Sequence, residues 1–113
     1  SEVRGTLLPE RDAFDLLGAT LPPGSVTGAP KHRALEIIDA LEASARGAYG
    51  GPVFRIGVDG SMDSAVIIRS FECAGRVMRI GVGGGITILS DPQKEYEEMR
   101  LKLAPFAAFA EGV

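Results

Sequence analysis

Residues 53–82 read VFRIGVDGSMDSAVIIRSFECAGRVMRIGV, and this stretch decides the fold. In its first part, apolar side chains alternate with Arg55 and Gly57, which is the period of a half-buried strand beginning at Val53. Asp59-Gly60 follows as a turn, since both residue types tolerate a positive φ. The stretch is therefore predicted to open as a β-hairpin.

The next strands are predicted from the same stretch. Residues 64–71 are apolar on both faces, which favours a strand in the centre of a sheet. Ala74-Gly75 turns the chain into a third strand over 76–82, and a short fourth strand includes Ile86 and Ile88. The prediction is one antiparallel sheet of three or four strands linked by hairpins.

Helices are predicted on both sides of this sheet. Residues 12–17 carry a short helical pattern, and the Pro- and Gly-rich residues 21–24 interrupt it. Pro30 suits the start of a second helix that runs to about Ala45, with apolar residues at helical spacing. A last helix covers 92–110. The fold class is α+β, an antiparallel sheet flanked by helices.

Composition narrows the classes of function. The chain has 113 residues, 45% of them hydrophobic, which is enough for one globular domain. Its net charge of −3 gives no basic footprint for nucleic acid, and no apolar run is long enough to cross a membrane. Cys73 is a single cysteine, and the amino terminus resembles neither a signal nor a transit peptide. We expect a cytoplasmic protein without nucleic-acid or membrane partners.

The segment Gly24-Ser25-Val26-Thr27-Gly28 precedes the first long helix. Small residues and hydroxyls at such a position expose backbone N–H groups that can hold an anion. Ordinary capping of the helix by Ser25 or Thr27 is the alternative, and the residues alone favour it. A P-loop is excluded because its glycine and lysine spacing is absent.

Two features of the predicted sheet point to an anionic ligand. Arg69 falls in its most apolar strand, where an unpaired cation is costly, so either a ligand carboxylate or a structural salt bridge should meet it. The run Gly81-Val82-Gly83-Gly84-Gly85 costs chain entropy, which either a close backbone approach to a ligand or a sharp bend explains. A dinucleotide fingerprint is excluded, since this run lies between strands.

One face of the last helix carries Glu95, Glu98 and Lys102, at positions i, i+3 and i+7. Two carboxylates one turn apart suit a hard cation such as Mg²⁺. A solvated face with a Glu–Lys pair is the alternative, and taken alone it is favoured. An apolar stripe adjoins this face: Tyr96, Met99, Leu103 and Phe106.

Taken together, these motifs resemble the chorismate-utilising enzymes, a family that includes anthranilate synthase component I, aminodeoxychorismate synthase component I, and the isochorismate and salicylate synthases. Residues 24–41, GSVTGAPKHRALEIIDAL, are similar to the family's signature. The resemblance makes residues 1–113 an incomplete, C-terminal segment of a chorismate-binding domain. It continues in order through Gly47-Ala48-Tyr49-Gly50-Gly51, Met62-Asp63, Ile67-Ile68-Arg69-Ser70, Gly83-Gly84-Gly85-Ile86, Glu95-Tyr96-Glu97-Glu98 and Lys102.

The resemblance implies a role for each matching residue. Ser25 would line the chorismate ring, and Tyr49 and Arg69 would hold the enolpyruvyl carboxylate. Backbone N–H groups of Gly83, Gly84 and Gly85 would assist them. On the last helix, Glu98 would bind Mg²⁺ directly and Glu95 through water, with Lys102 near the ring carboxylate that the metal binds.

Within the family, residues 24–28 and 60–63 look most like aminodeoxychorismate synthase. That resemblance implies replacement of the 4-hydroxyl of chorismate by ammonia, on the route to p-aminobenzoate and folate. A glutamine amidotransferase subunit or domain would supply the ammonia. The alternatives are anthranilate synthase, which aminates C2 and releases pyruvate, and isochorismate or salicylate synthase.

The resemblance also places the family's active-site histidine and lysine upstream of Ser1. No catalytic residue is therefore expected in this chain, and we expect the isolated chain to be inactive and to expose apolar surface. A hypothesis from another class is a non-catalytic ligand-binding or subunit-interaction fragment of the same fold.

Overall fold

The computed structural model describes residues 2–111. Helices and short antiparallel strands share the chain, which confirms the α+β class. In chain order the elements are α1 (Ala13–Thr20), α2 (Gly24–Thr27), α3 (Lys31–Leu41), β1 (Pro52–Ile56), β2 (Met62–Val66), β3 (Phe71–Ala74), β4 (Val77–Ile80) and α4 (Pro92–Glu111).

The first hairpin forms where the alternation predicted it. β1 and β2 pair antiparallel, with Ile56 opposite Met62 next to the turn. The Asp59 carboxylate accepts hydrogen bonds from the backbone N–H and the hydroxyl of Ser61, at 3.0 and 2.7 Å. Gly60 has a φ of +83°, which a residue with a Cβ rarely adopts. The Asp59-Gly60 turn is confirmed.

The predicted central strand over 64–71 is wrong. β2 ends at Val66, and Arg69 has a φ of +52°, in the left-handed region that extended strands do not contain. The chain enters β3 only at Phe71, and β3 pairs with β4 around a turn at Gly75. Within residues 2–111 there are thus two separate two-stranded sheets rather than one sheet of three or four strands.

The predicted fourth strand at Ile86 and Ile88 is also wrong. Residues 81–87 form a loop without regular secondary structure. The three consecutive glycines offer no side chains to pack across a ladder and pay a high entropic cost for extension. The loop instead carries the chain from β4 towards α4.

The helices follow their sequence signals, with two differences at the ends. Asp12 caps α1 in a reciprocal capping box with Asp15. Pro30 precedes α3 without any side-chain cap, so the predicted capping of this helix by Ser25 or Thr27 is wrong. These residues belong to the short α2, which was not predicted. α3 ends at Leu41 rather than near Ala45, because Glu42 takes an extended backbone.

The described residues bury little apolar surface. Leu17 is the single buried hydrophobic side chain among them, and large apolar side chains such as Ile88 and Leu89 are 99% and 92% exposed. The radius of gyration is 17.0 Å, compared with about 13 Å for a compact domain of this length. No helix in residues 2–111 is long and apolar enough to cross a bilayer. The elements form an open framework around one cleft.

We expect the purified 113-residue chain to bind an apolar dye such as anilinonaphthalene sulfonate, because its apolar faces are uncovered. Small-angle scattering of its monomer should give a radius of gyration near 17.0 Å. The matched variant I88S/L89S should bind less dye and keep its far-ultraviolet helix signal, since both side chains are almost fully exposed. A compact monomer that binds no dye would contradict this expectation.

Candidate functional site

An open cleft of about 1330 Å³ is the site candidate. Segments that are far apart in sequence line it: α2, the turn before β1, the link between β2 and β3, the loop after β4, and α4. All seven residues predicted to bind substrate lie on its wall: Ser25, Tyr49, Arg69, Gly83, Gly84, Gly85 and Lys102. The structure therefore brings this predicted set together, and the role of each residue stays a prediction.

The α2 side of the cleft is held by backbone acceptors. The Thr27 hydroxyl donates to the Pro23 carbonyl at 2.9 Å, which closes the single turn of α2. Gly28 follows with a φ of +125°, and a Cβ there would lie 3.1 Å from the Cβ of Ala34 on α3. This close approach lets α2 pack against α3. Ser25 is exposed at the cleft, and the hydrogen bond that closes α2 comes from Thr27 and not from the Ser25 hydroxyl.

Tyr49 lies in a turn that is tied to both hairpins. Gly50 and Gly51 exchange hydrogen bonds with Ile67, at 2.8 and 2.9 Å, next to the β1–β2 ladder. The Ala48 N–H donates to the Glu72 carboxylate on β3 at 2.6 Å. Tyr49 is consequently half-buried between two sheets that do not pair with each other.

Arg69 lines the cleft, but it does so from an irregular link and not from the predicted strand. It is an exposed residue on the irregular link between β2 and β3, so the cost argument for a cation within an apolar strand does not apply. Within residues 2–111 its guanidinium has no hydrogen bond or salt bridge, which rules out the structural salt bridge there. Five N–H donors at the cleft are therefore available to a carboxylate.

Side chains of this same chain pack closely on the backbone of the glycine-rich loop, which accounts for glycine at several of its positions. A Cβ added at Gly81 would lie 2.2 Å from Cγ of Tyr49, so the tyrosine ring packs directly on the loop backbone. A Cβ at Gly83 would lie 3.0 Å from the Tyr49 hydroxyl, and one at Gly84 would lie 3.1 Å from Glu95 Oε2. Gly81 was not among the predicted site residues. Its signal was a glycine directly after a strand, which alone does not identify what approaches it.

The predicted metal ligands stand on α4, and both carboxylates are engaged. Glu95 accepts a hydrogen bond from the Ser90 hydroxyl at 2.7 Å, beside a smaller apolar pocket that Gly84 and Tyr96 also line. Glu98 pairs with Lys102 at 2.6 Å, and the Lys102 ammonium also donates to the Gly83 carbonyl at 3.1 Å. Lys102 thereby joins α4 to the loop.

The donor set fits a magnesium ion only in part. Two carboxylates one helical turn apart match the few protein ligands that Mg²⁺ takes alongside water and substrate. No group of three or more His, Cys, Asp or Glu side chains converges within the described residues. The Glu98–Lys102 pair is also what the solvated-face alternative predicts, so the fit rests on the chemistry of Glu95 and Glu98.

An ion pair forms part of the same wall. Arg46 donates to the Glu42 carboxylate, with Nε–Oε2 at 2.8 Å, and this hydrogen bond holds the pKa of Glu42 below its ordinary value. The same bond raises the pKa of Arg46. His32, the single histidine of the sequence, lies in the first turn of α3, away from this pair, and its side chain is 94% exposed.

Comparison with known proteins matches residues 1–108 to the family of chorismate binding enzymes. The chain is 46% identical over 102 residues to anthranilate synthase component 1 of Methanothermobacter marburgensis, covering 90% of this chain and 22% of the relative. It is 50% identical over 107 residues to an anthranilate synthase component 1 of Haloarcula marismortui, covering 91% and 20%. It is also 40% identical over 105 residues to aminodeoxychorismate synthase of Streptomyces griseus, covering 93% and 14%. The chain thus spans about a fifth or less of the length of these curated relatives.

We expect Gly81→Ala to displace the Tyr49 ring, because the added methyl group would overlap it. Overpacking of this kind costs about 1–3 kcal/mol of stability. Gly85→Ala is the matched control, since nothing lies within 4 Å of a Cβ in that position. Tyrosine ring resonances and the thermal unfolding midpoint should change in the first variant only. Equal behaviour of the two variants would show that the contact does not hold the ring.

The pKa of Glu42 gives a second prediction. A carboxylate whose pKa is lowered in the folded state stabilises the fold above its unfolded pKa of about 4.3, and this contribution is lost as the pH falls through the lowered value. Titration of the side-chain carboxyl by carbon NMR should therefore place Glu42 below the ordinary glutamate value. Arg46→Leu should return it to that value. An ordinary pKa in the unmodified protein would contradict the pairing.

Proposed function

The chain belongs to the chorismate binding enzyme family, and from that premise we propose that it forms the carboxylate-binding wall of the active site of a chorismate-utilising synthase. The observation that carries this proposal is the convergence of seven residues, from five separate segments, on one cleft. A dianionic substrate needs several cationic or N–H partners, and this wall offers them.

In this proposal, each side chain binds or orients the substrate. The exposed Arg69 guanidinium and the Tyr49 hydroxyl hold the enolpyruvyl carboxylate, next to the N–H groups of the glycine loop. The Tyr49 hydroxyl lies beside Gly83, so the tyrosine and the loop face one region of the cleft, and Arg69 lines the same cleft. Ser25 lines the ring from α2, and Lys102 lies at the loop near the ring carboxylate.

Magnesium is the cofactor that the proposal assigns to Glu98 and Glu95. When bound, the ion polarises the ring carboxylate and spreads charge that develops during the reaction. Glu95 borders the smaller pocket beside Gly84, and Glu98 pairs with Lys102, which lines the cleft; these two carboxylates would hold the ion. No side chain of this chain is assigned to proton transfer in this proposal.

The finer reaction proposed is amination of chorismate at C4, with ammonia supplied by a glutamine amidotransferase. The residues that support it are Ser25 to Thr27 and Met62, which look like those of aminodeoxychorismate synthases. Anthranilate synthesis is the second candidate. It is supported by the relatives of that name, whose identities of 46% and 50% exceed the 40% of the aminodeoxychorismate synthase above.

Product identification separates these candidates. The protein as the cell makes it is incubated with chorismate, ammonia and Mg²⁺, and the products are resolved by mass spectrometry with a coupled assay for pyruvate. Amination at C4 yields 4-amino-4-deoxychorismate and water and leaves the enolpyruvyl group in place. Anthranilate accompanied by one equivalent of pyruvate would overturn the first choice. The isolated 113-residue chain should give neither product.

We expect Arg69→Lys to lower kcat/KM for chorismate roughly 10- to 100-fold. The lysine keeps the charge but loses the forked donors, and a charge-assisted hydrogen bond is worth about 1.5–3 kcal/mol. Arg55→Lys is the matched control, because Arg55 pairs with Asp63 on the exposed face of the first hairpin, at 3.3 Å. Near-normal kinetics of Arg69→Lys would remove this residue from the site.

Binding tests the non-catalytic alternative. Calorimetric titration with chorismate, in the presence and absence of Mg²⁺, should show binding that Arg69→Ala abolishes. Binding without any turnover by the protein as the cell makes it would favour a ligand-binding domain over a synthase. Absence of binding in every condition would favour a structural fragment.

A further inference from the structure

We propose that Arg46 is a positioning residue that sets the separation between Ser25 and Tyr49 across the cleft. Arg46 follows α3 and is not among the residues that the family resemblance assigns to the site. This inference rests on the proposed function only for its kinetic consequence, since the contacts themselves stand without it.

Arg46 contacts both substrate-facing segments at once. Its Nη1 donates to the Val26 carbonyl at 2.6 Å, directly next to Ser25 in the chain. Its guanidinium carbon lies 5.8 Å from the centroid of the Tyr49 ring, within the range of a cation–π contact. Its backbone carbonyl accepts a hydrogen bond from the Tyr49 N–H at 3.3 Å. One residue thus connects α2 to the turn that carries Tyr49.

Glu42 fixes the guanidinium from the other side. Nε and Nη2 of Arg46 both donate to its carboxylate, at 2.8 Å to Oε2 and 2.5 Å to Oε1. The arginine side chain is 26% exposed, so this pair is better shielded than the surface pairs of the chain. With two nitrogens on Glu42 and the third on Val26, the planar group has no free rotation left.

Gly50 brings the turn close to both α2 and Arg46. A Cβ placed on the buried Gly50 would touch Cγ2 of Val26 at 3.4 Å and Nη1 of Arg46 at 3.8 Å. These are ordinary contact distances, so the turn lies next to α2 with room for about one carbon atom between them. Loss of the guanidinium fork would let the two segments separate, because its hydrogen bond to the Val26 carbonyl is the one polar contact that joins them within residues 2–111.

A separation of this kind is expected to weaken substrate binding more than it slows the chemical step. Ser25 and Tyr49 are proposed to contact the substrate in its ground state, and neither is assigned to proton transfer. Loss of contacts that are equally strong in the ground state and the transition state raises KM and leaves kcat unchanged. We therefore expect Arg46→Lys to raise KM for chorismate about 10- to 100-fold, with kcat per correctly folded site largely retained.

The experiment compares Arg46→Lys with Arg33→Lys in the protein as the cell makes it. Arg33 lies on α3 and pairs with Glu36 at 2.7 Å on the exposed surface, so the same chemical change should leave KM unaltered. Glu42→Gln should reproduce the KM rise, and the double variant with Arg46→Lys should add little to it. A fall in kcat alone, with KM unchanged, would mean that Arg46 acts only on stability and would overturn the proposal.

A spectroscopic measurement tests the positioning without turnover. The sequence has two tyrosines, so carbon-13 tyrosine labelling gives the Tyr49 ring signal with Tyr96 as an internal reference. Arg46→Lys should shift the Tyr49 signals and leave those of Tyr96 in place, even if chorismate proves not to be the substrate. Unchanged Tyr49 signals would overturn the proposal whatever the kinetics show, and shifts of both tyrosines would show a general loss of structure, which also overturns it.

Discussion

The turn from Arg46 to Gly51 is the constraint on which the arrangement of the cleft depends. The two hairpins share no strand pairing, and little apolar surface is buried between the elements. The turn connects them through a few polar contacts, from Ala48 to Glu72 and from Gly50 and Gly51 to Ile67. Because these hydrogen bonds are local and directional, they fix where Tyr49 stands even though the surroundings are loosely packed.

The α4 side of the cleft depends on contacts of another kind. Lys102 bridges Glu98 and the carbonyl of Gly83, and Ser90 joins the end of the loop to Glu95. Farther along α4, Phe106 meets Phe71 of β3 edge-on, with ring centroids 6.5 Å apart. The first half of α4 is thus held by hydrogen bonds and an ion pair, and its second half by aromatic packing. The predicted metal ligands lie in the first half.

Much of this architecture follows from local sequence signals, and the remainder depends on contacts that single residues do not reveal. The alternation around Phe54 and the Asp59-Gly60 turn predicted the first hairpin, because period and turn chemistry act over a few residues. The apolar run from Ala65 to Ile68 led to the wrong prediction of a central strand, because such a run is compatible with a strand. Nothing in an arginine side chain indicates the left-handed backbone that Arg69 adopts. The residues of the site were predicted from the resemblance to a family rather than from local patterns. The structure adds Arg46 and Gly81, whose importance comes from partners far away in the chain.

The contact between Gly81 and Tyr49 also governs how this sequence can change over generations. Any side chain at position 81 collides with the tyrosine ring, and a smaller residue at position 49 leaves a gap over a bare stretch of backbone. An exchange of the pair is therefore less strained when position 49 becomes smaller before position 81 becomes larger. That order passes through a cleft without its phenol, so the fit of the two residues ties a change at position 81 to one at position 49.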